Sequence, residues 1–220
     1  MSYSLAILLP SRDTVSMGFT YDLARLTAYW SAKHVPHGGK LHLFNSQGTL
    51  IADQRQSLII EAINAKADYV LWLDSDMRFP KDIVDRLHAH GKDIVAANYS
   101  TRRVPAKPVA YADERCDELV YTTKDSTGLK EVYAVGMGAM LESTAVYRKL
   151  GLPFFTIGYS QAAADFFGED VFHCRQVREA GFKVFIDHDV SKEVRHIGSF
   201  EFTFEHAEAC KDIISKRDAA

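Results

Sequence analysis

Tyr69 to Leu73 is an unbroken apolar run that passes directly into two carboxylates, in the segment Ala67-Asp-Tyr-Val-Leu-Trp-Leu-Asp-Ser-Asp-Met-Arg-Phe-Pro80. A strand interior cannot hold two anions, because burying an unpaired charge is costly. Asp74 and Asp76 therefore belong at the carboxyl end of a strand, the edge where open α/β sheets bind ligands. Alternation along an extended chain aims the two side chains the same way. Two converging carboxylates suit a hard divalent cation that also holds a diphosphate. Asp-Ser-Asp ahead of a helix also reads as plain turn and N-cap chemistry, so the rest of the chain has to decide between the two.

That context is a regular alternation. Leu5 to Leu9 is a short apolar run ended by Pro10, as expected of a strand covered on both faces. Leu23, Leu26 and Trp30 fall at helical spacing within 20–33, and 36–39 closes the unit. A strand over 41–44, a helix over 50–65, the strand ending at Asp74, a helix over 80–90 and a strand over 93–97 follow in turn. Such alternation predicts right-handed crossovers and a mostly parallel sheet. Residues 100–133, with Pro105, Pro108 and Gly128, predict a small β-hairpin insertion or sheet edge, including a β-rich piece at 119–123. Beyond it we expect one strand over 131–141 interrupted by Gly136 and Gly138, a helix over 168–180, a strand over 183–186 and a polar helical tail over 204–216. With no repeat, low-complexity tract or linker, residues 1–220 read as a single α/β domain.

Several function classes fall away. A net charge of -3 argues against broad electrostatic binding to nucleic acid. No apolar run is long enough to span a bilayer, so no membrane partner is expected. Cys116, Cys174 and Cys210 are scattered and lack a Cys-x-x-Cys pair, which reads as reduced thiols in a cytoplasmic compartment. Val135-Gly-Met-Gly-Ala-Met140 lacks the dinucleotide fingerprint Gly-x-Gly-x-x-Gly after a first strand, and no P-loop occurs. Its two glycines let backbone approach a ligand closely, or mark a bulged strand.

Three further positions carry chemistry. Arg55 lies on the core-facing side of its helix, four after Ile51 and three before Leu58, so it needs an anionic partner. Either one of the aspartates or a bound phosphate meets that need. Gly168-Glu169-Asp170 places carboxylates at a helix start, where the dipole favours them. Asp170 there is a helix-start residue or a general base for a hydroxyl. His196, in Arg195-His-Ile-Gly198, follows the last strand and can complete a metal site with Asp76, or serve packing alone.

Taken in order, these pieces resemble the GT-A glycosyltransferases, especially the family 2-like enzymes. The matching stretches are 5–13, 51–55, 69–80, 135–141, 168–170 and 195–198, which together run along nearly the whole chain. The resemblance implies a Rossmann-like GT-A fold that moves a sugar from a nucleotide-sugar to an acceptor hydroxyl with inversion. It implies that Pro10, Ser11, Arg12 and Asp13 line the nucleotide pocket, with Asn45, Arg55, Asp74 and Ser75 on the donor side. It implies Mn²⁺ or Mg²⁺ on Asp76 with His196, and Asp170 as base. Gly136, Gly138 and Glu169 fall on the acceptor side.

The compact size is similar to stand-alone phage and bacterial members, some of which act on hydroxymethylated pyrimidines in DNA; a phage protein would work in the host cytoplasm. The acceptor is thus a glycan, a small molecule or a modified DNA base. Many relatives carry an acidic residue where this chain has Asn45 and Ser46, and UDP remains the expected nucleotide. Locally basic 101–108 and the aromatics Phe154, Phe155, Tyr159, Phe166 and Phe167 are acceptor candidates. Two other readings stand: a nucleotidyltransferase, although Ser11-Arg-Asp-Thr14 is not glycine-rich, and a non-catalytic nucleotide-binding module.

Overall fold

The computed structural model describes residues 2–161, 164–198 and 201–211. In chain order the first half comprises β1 (Ser4–Ser11), α1 (Met17–His34), β2 (Lys40–Gln47), α2 (Ile51–Asn64), β3 (Tyr69–Leu73), β4 (Met77–Arg78), α3 (Ile83–Ala89) and β5 (Ile94–Ala96). The second half comprises β6 (Ala110–Tyr111), β7 (Leu129–Val132), β8 (Ala134–Val135), β9 (Ala139–Ser143), α4 (Thr144–Tyr147), β10 (Gly158–Ser160) and β11 (Asp165–Phe167). It closes with α5 (Glu169–Glu179), β12 (Val184–Asp187), α6 (His188–Ser191), β13 (Arg195–Ile197), β14 (Glu201–Phe202) and α7 (Phe204–Ala209).

The central sheet has seven strands in the order β2-β1-β3-β9-β5-β12-β7. β1 pairs in parallel with β2 and β3, and β5 with β12. β9 runs antiparallel between β3 and β5, and β7 runs antiparallel to β12 at the edge. β1, β2, β3, β5 and β12 therefore share one direction, and their carboxyl ends line one edge of a mixed sheet.

Residue alternation explains why both faces are covered. Ala6, Leu8, Val70 and Trp72 enter one buried cluster, while Leu5, Ile7, Leu71 and Leu73 enter the other. Leu58, Ile59 and Ala62 of α2 and Val171, Cys174 and Val177 of α5 cover the first face. Phe19, Leu26 and Trp30 of α1 and Ile83, Val84 and Leu87 of α3 cover the second. Burial of each such Leu, Val or Ile stabilises the fold by about 1.5–3 kcal/mol.

Two expectations change. The single strand over 131–141 is three: β7 lies on the sheet edge, β8 leaves the sheet to pair antiparallel with β6, and β9 enters the centre. Within 119–123, only Leu119 makes a bridge, to Tyr111. The helical tail is seen as α7, and its expected continuation past residue 211 lies outside the described residues. Among the described residues, no helix is long and apolar enough to cross a membrane.

Candidate active site

Asp74 and Asp76 sit at the carboxyl end of β3, but they do not point together. Residues 74–77 form a tight turn closed by the Met77 N–H on the Asp74 carbonyl at 3.1 Å, so strand alternation ends at Leu73. Each carboxylate therefore finds its own partners.

Asp74 faces α2. Arg55 donates from Nη2 to Asp74 Oδ1 at 2.8 Å and from Nε to Glu169 Oε1 at 3.0 Å. Its side chain is 2% exposed and its guanidinium lies 5.4 Å from the Trp72 ring centroid. Burial would lower the Arg55 pKa, but the charges of Asp74 and Glu169 outweigh it and hold the group cationic. Nη1 is buried without a hydrogen-bond partner among the described residues. Arg55 thus clamps the start of α5 to the end of β3, and its own bond to Glu169 spans 114 residues of sequence.

Asp170 is fixed by that clamp. It occupies the first turn of α5, and its Oδ1 accepts the Val171 N–H at 2.7 Å. A Cβ on Gly168 would lie 2.7 Å from the same oxygen, so glycine admits the carboxylate back over the helix start. Burial, then the negative charge of Glu169, pushes the Asp170 carboxyl up to about 6, with the Val171 N–H and Arg55 offsetting part of the rise. At neutral pH it is ionised yet close to its protonated state, as a general base requires.

Behind α5 lies a fully buried polar group. His173 Nε2 meets Glu142 Oε1 at 2.8 Å, and Glu142 Oε2 accepts from Tyr147 and, at 3.4 Å, from Trp72 Nε1. Glu142 and His173 are 0% and 1% exposed, so neither exchanges with water. Trp72 also bears on Arg55, which ties this buried group to the clamp.

Asp76 has a separate set of partners. Arg102 approaches its Oδ2 at 2.7 Å and His196 Nε2 its Oδ1 at 3.5 Å. β13 pairs His196 with Met77, and the Ile197 N–H donates to the Asp76 carbonyl at 2.7 Å. Burial would raise the Asp76 carboxyl, but the hydrogen bond and charge of His196 and the charge of Arg102 hold it below its usual value. His196 Nδ1 lies 2.8 Å from the Ser100 carbonyl, which can only accept, so Nδ1 carries the proton. Nε2 faces Asp76, where it donates to the carboxylate when it carries a proton and offers a lone pair to a metal when that proton is lost.

Among the described residues, no cluster of three or more His, Cys, Asp or Glu side chains is preassembled for a metal. Asp76 and His196 lie near enough to each other to share a divalent ion, whose remaining ligands would have to come from outside the chain.

Tyr99 links the two halves. Its hydroxyl accepts the Gly138 N–H at 3.0 Å and its ring meets His196 edge-on at 5.3 Å. Burial, then the charges of Asp74 and Asp170, raises its pKa well above that of a free phenol. A Cβ on Gly136 or Gly138 would fall 2.6 or 2.7 Å from the Tyr99 hydroxyl. What these glycines admit is therefore the Tyr99 ring, where the sequence suggested a ligand.

Asp170 lines a cleft of about 880 Å³ bounded also by Arg103, Lys107, Tyr111, Phe166 and Arg175. A second cleft of about 650 Å³ holds Tyr99, Arg102 and His196. The two share Thr101, Arg103 and Val109 as a common wall. Pro10, Ser11, Arg12 and Asp13 lie at the end of β1, beside Asn45 on β2, whose Nδ2 donates to Ser11 Oγ at 2.9 Å. Ser75 is in the Asp74–Met77 turn. The aspartate expected as a partner for Arg55 is Asp74, whereas Glu169 as its second partner, Arg102 for Asp76 and Tyr99 as the link were missed. A core-facing Arg near a carboxyl edge was the one available signal.

No curated protein matches the chain. The model of the Anp1 family matches residues 39–114, roughly a third of the chain, including Arg55, Asp74, Asp76 and the loop with Arg103. Among solved structures, A197 from STIV superposes with a TM-score of 0.59 at 16% identity, covering 90% of this chain and 86% of that one. The chain shares the fold of A197.

Proposed function

We propose that the protein is a GT-A-type glycosyltransferase that moves a sugar from a nucleotide-sugar to an acceptor hydroxyl. The observation that carries this reading is Asp170, held by the Asp74–Arg55–Glu169 clamp at the wall of the larger cleft. The match to Anp1, a GT-A-like glycosyltransferase family, and the shared fold support it. In this reading the donor lies at the carboxyl edge, with the nucleotide near Pro10 to Asp13 and Asn45. Asn45 offers a carbonyl acceptor to a base edge, because its Nδ2 is used by Ser11. UDP is the first nucleotide to try.

Asp76 and His196 would hold Mn²⁺ or Mg²⁺, which when bound neutralises charge on the leaving diphosphate. Arg102 supplies a cation on the same side. Asp170 takes the proton from the acceptor hydroxyl as its oxygen attacks the anomeric carbon opposite the leaving group, which inverts the configuration. General-base help of this kind contributes about 10²–10⁴ in rate. Tyr99, kept neutral, contributes a hydroxyl beside both carboxylates.

The test is Asp170→Asn, which should abolish transfer while retaining nucleotide-sugar affinity within about threefold, because no contact to the donor is removed. Turnover near that of the wild type would remove Asp170 from the role of base.

A further inference from the structure

We propose that the larger cleft selects an acceptor bearing a phosphate, read by Arg103 and Lys107, with the hydroxyl-bearing ring of the acceptor against Phe166. The inference rests on the glycosyltransferase reading and names the acceptor class for it.

The loop 101–107 is closed on itself by the Thr101 N–H to the Lys107 carbonyl at 2.8 Å and the Lys107 N–H to Thr101 Oγ1 at 3.0 Å. It presents three cations with different fates. Arg102 turns to Asp76 and the Ile197 carbonyl. Arg103 and Lys107 both line the larger cleft, and among the described residues neither has a carboxylate partner. The other two cations of that cleft have partners, and the carboxylates of Glu114, Asp165 and Asp170 also line it. Arg115 pairs with Asp117 at 3.3 Å, Arg175 packs 4.2 Å from the Phe167 ring centroid and donates to the Glu114 carbonyl, and Asp165 accepts the Phe166 N–H. Two unpaired cations beside a cleft favour an anion, and a phosphate accepts from both.

Lys107 lines only the larger cleft, whereas the Asp76–His196 pair borders the smaller one through His196. Arg103 stands on the wall common to both clefts, so it is Lys107 that assigns the phosphate to the acceptor in this proposal. Opposite the loop, the β10–β11 hairpin stacks Tyr159 edge-on to Phe166 at 4.9 Å. Phe166 is 71% exposed and lines the cleft, and an aromatic face so presented takes a sugar or base ring. Asp170 lines the same cleft, and in this proposal it takes the proton from a hydroxyl on that ring.

Matched pairs test this: glucose 6-phosphate with glucose, and nucleoside 5′-monophosphates with their nucleosides. Each is titrated calorimetrically into the full chain with UDP and Mn²⁺ present to fill the donor side. The phosphorylated member of at least one pair should bind about 10- to 100-fold tighter than its partner. The pair showing it tells a sugar phosphate from a nucleotide. R103Q/K107Q, checked by circular dichroism for an intact fold, should erase the preference, and K107Q alone should reduce it. Equal binding within every pair, or a preference that survives R103Q/K107Q, overturns the proposal. Donor hydrolysis by the wild type is measured separately and judges the glycosyltransferase reading alone.

Discussion

Asp170→Asn should make the protein more stable while it removes activity, and the gain should depend on pH. In the folded chain the Asp170 carboxyl titrates near 6, against 3.8 for an unperturbed aspartate. Between those values the folded state holds a proton that the unfolded chain has released. The contribution of this group to stability is therefore present in full below pH 4 and lost as pH rises through about 6. Roughly two pH units correspond to ~3 kcal/mol, and because the side chain is half-buried, solvent screening brings the expected effect to about 1–2 kcal/mol. Asparagine keeps an oxygen for the Val171 N–H and carries no charge. At pH 8 the variant should melt about 2–8 °C above the wild type, and the difference should vanish at pH 4. Thermal unfolding at pH 4, 6 and 8 measures it. A variant equal to or less stable than the wild type at pH 8 would refute the claim that burial and Glu169 penalise this carboxylate. For the wild type, kcat/KM for transfer should rise through pH 6 as the base ionises.

Other perturbations separate the parts of the site. Arg55→Met leaves Asp74 and Glu169 without their cation, so urea unfolding should show a loss of about 3–5 kcal/mol; a loss under 1 kcal/mol would mean the clamp holds nothing. Gly138→Ala places a Cβ 2.7 Å from the Tyr99 hydroxyl, and a destabilisation of about 1–3 kcal/mol is expected in the same assay. An unchanged midpoint would show that Tyr99 yields without cost.

The first half of the fold was legible because its signals are local. β1, α1, α2 and β3 each carry their own period, and Tyr69–Leu73 matches the expected strand end for end. The second half depends on pairings far apart in sequence. β9 enters between β3 and β5 against their direction, and nothing in residues 131–141 announces that Gly136 and Gly138 separate elements in different sheets. Strands of two residues, such as β4 and β14, are too short to show alternation.

At the site, residue types were readable and so was one partner, an aspartate at the end of β3 for Arg55, which is Asp74. Arg55 announced that it needed an anion, but Glu169 lies 114 residues away. The turn at Asp74 was readable, since Asp is a favoured first residue of a type I turn and Ser a common turn residue. The extended reading, which aimed both side chains one way, gives way to the turn that Asp-Ser-Asp also allowed, and with that turn Asp74 and Asp76 take different partners.

Hydrolysis of a panel of UDP- and GDP-sugars by the purified chain, with Mn²⁺ and then with excess EDTA, tests the central claim most directly. At least one nucleotide-sugar should be cleaved slowly with Mn²⁺, the reaction should stop in EDTA, and Mn²⁺ or Mg²⁺ should restore it. Cleavage of none of them would contradict the glycosyltransferase account, and full cleavage in EDTA would remove the metal from Asp76 and His196.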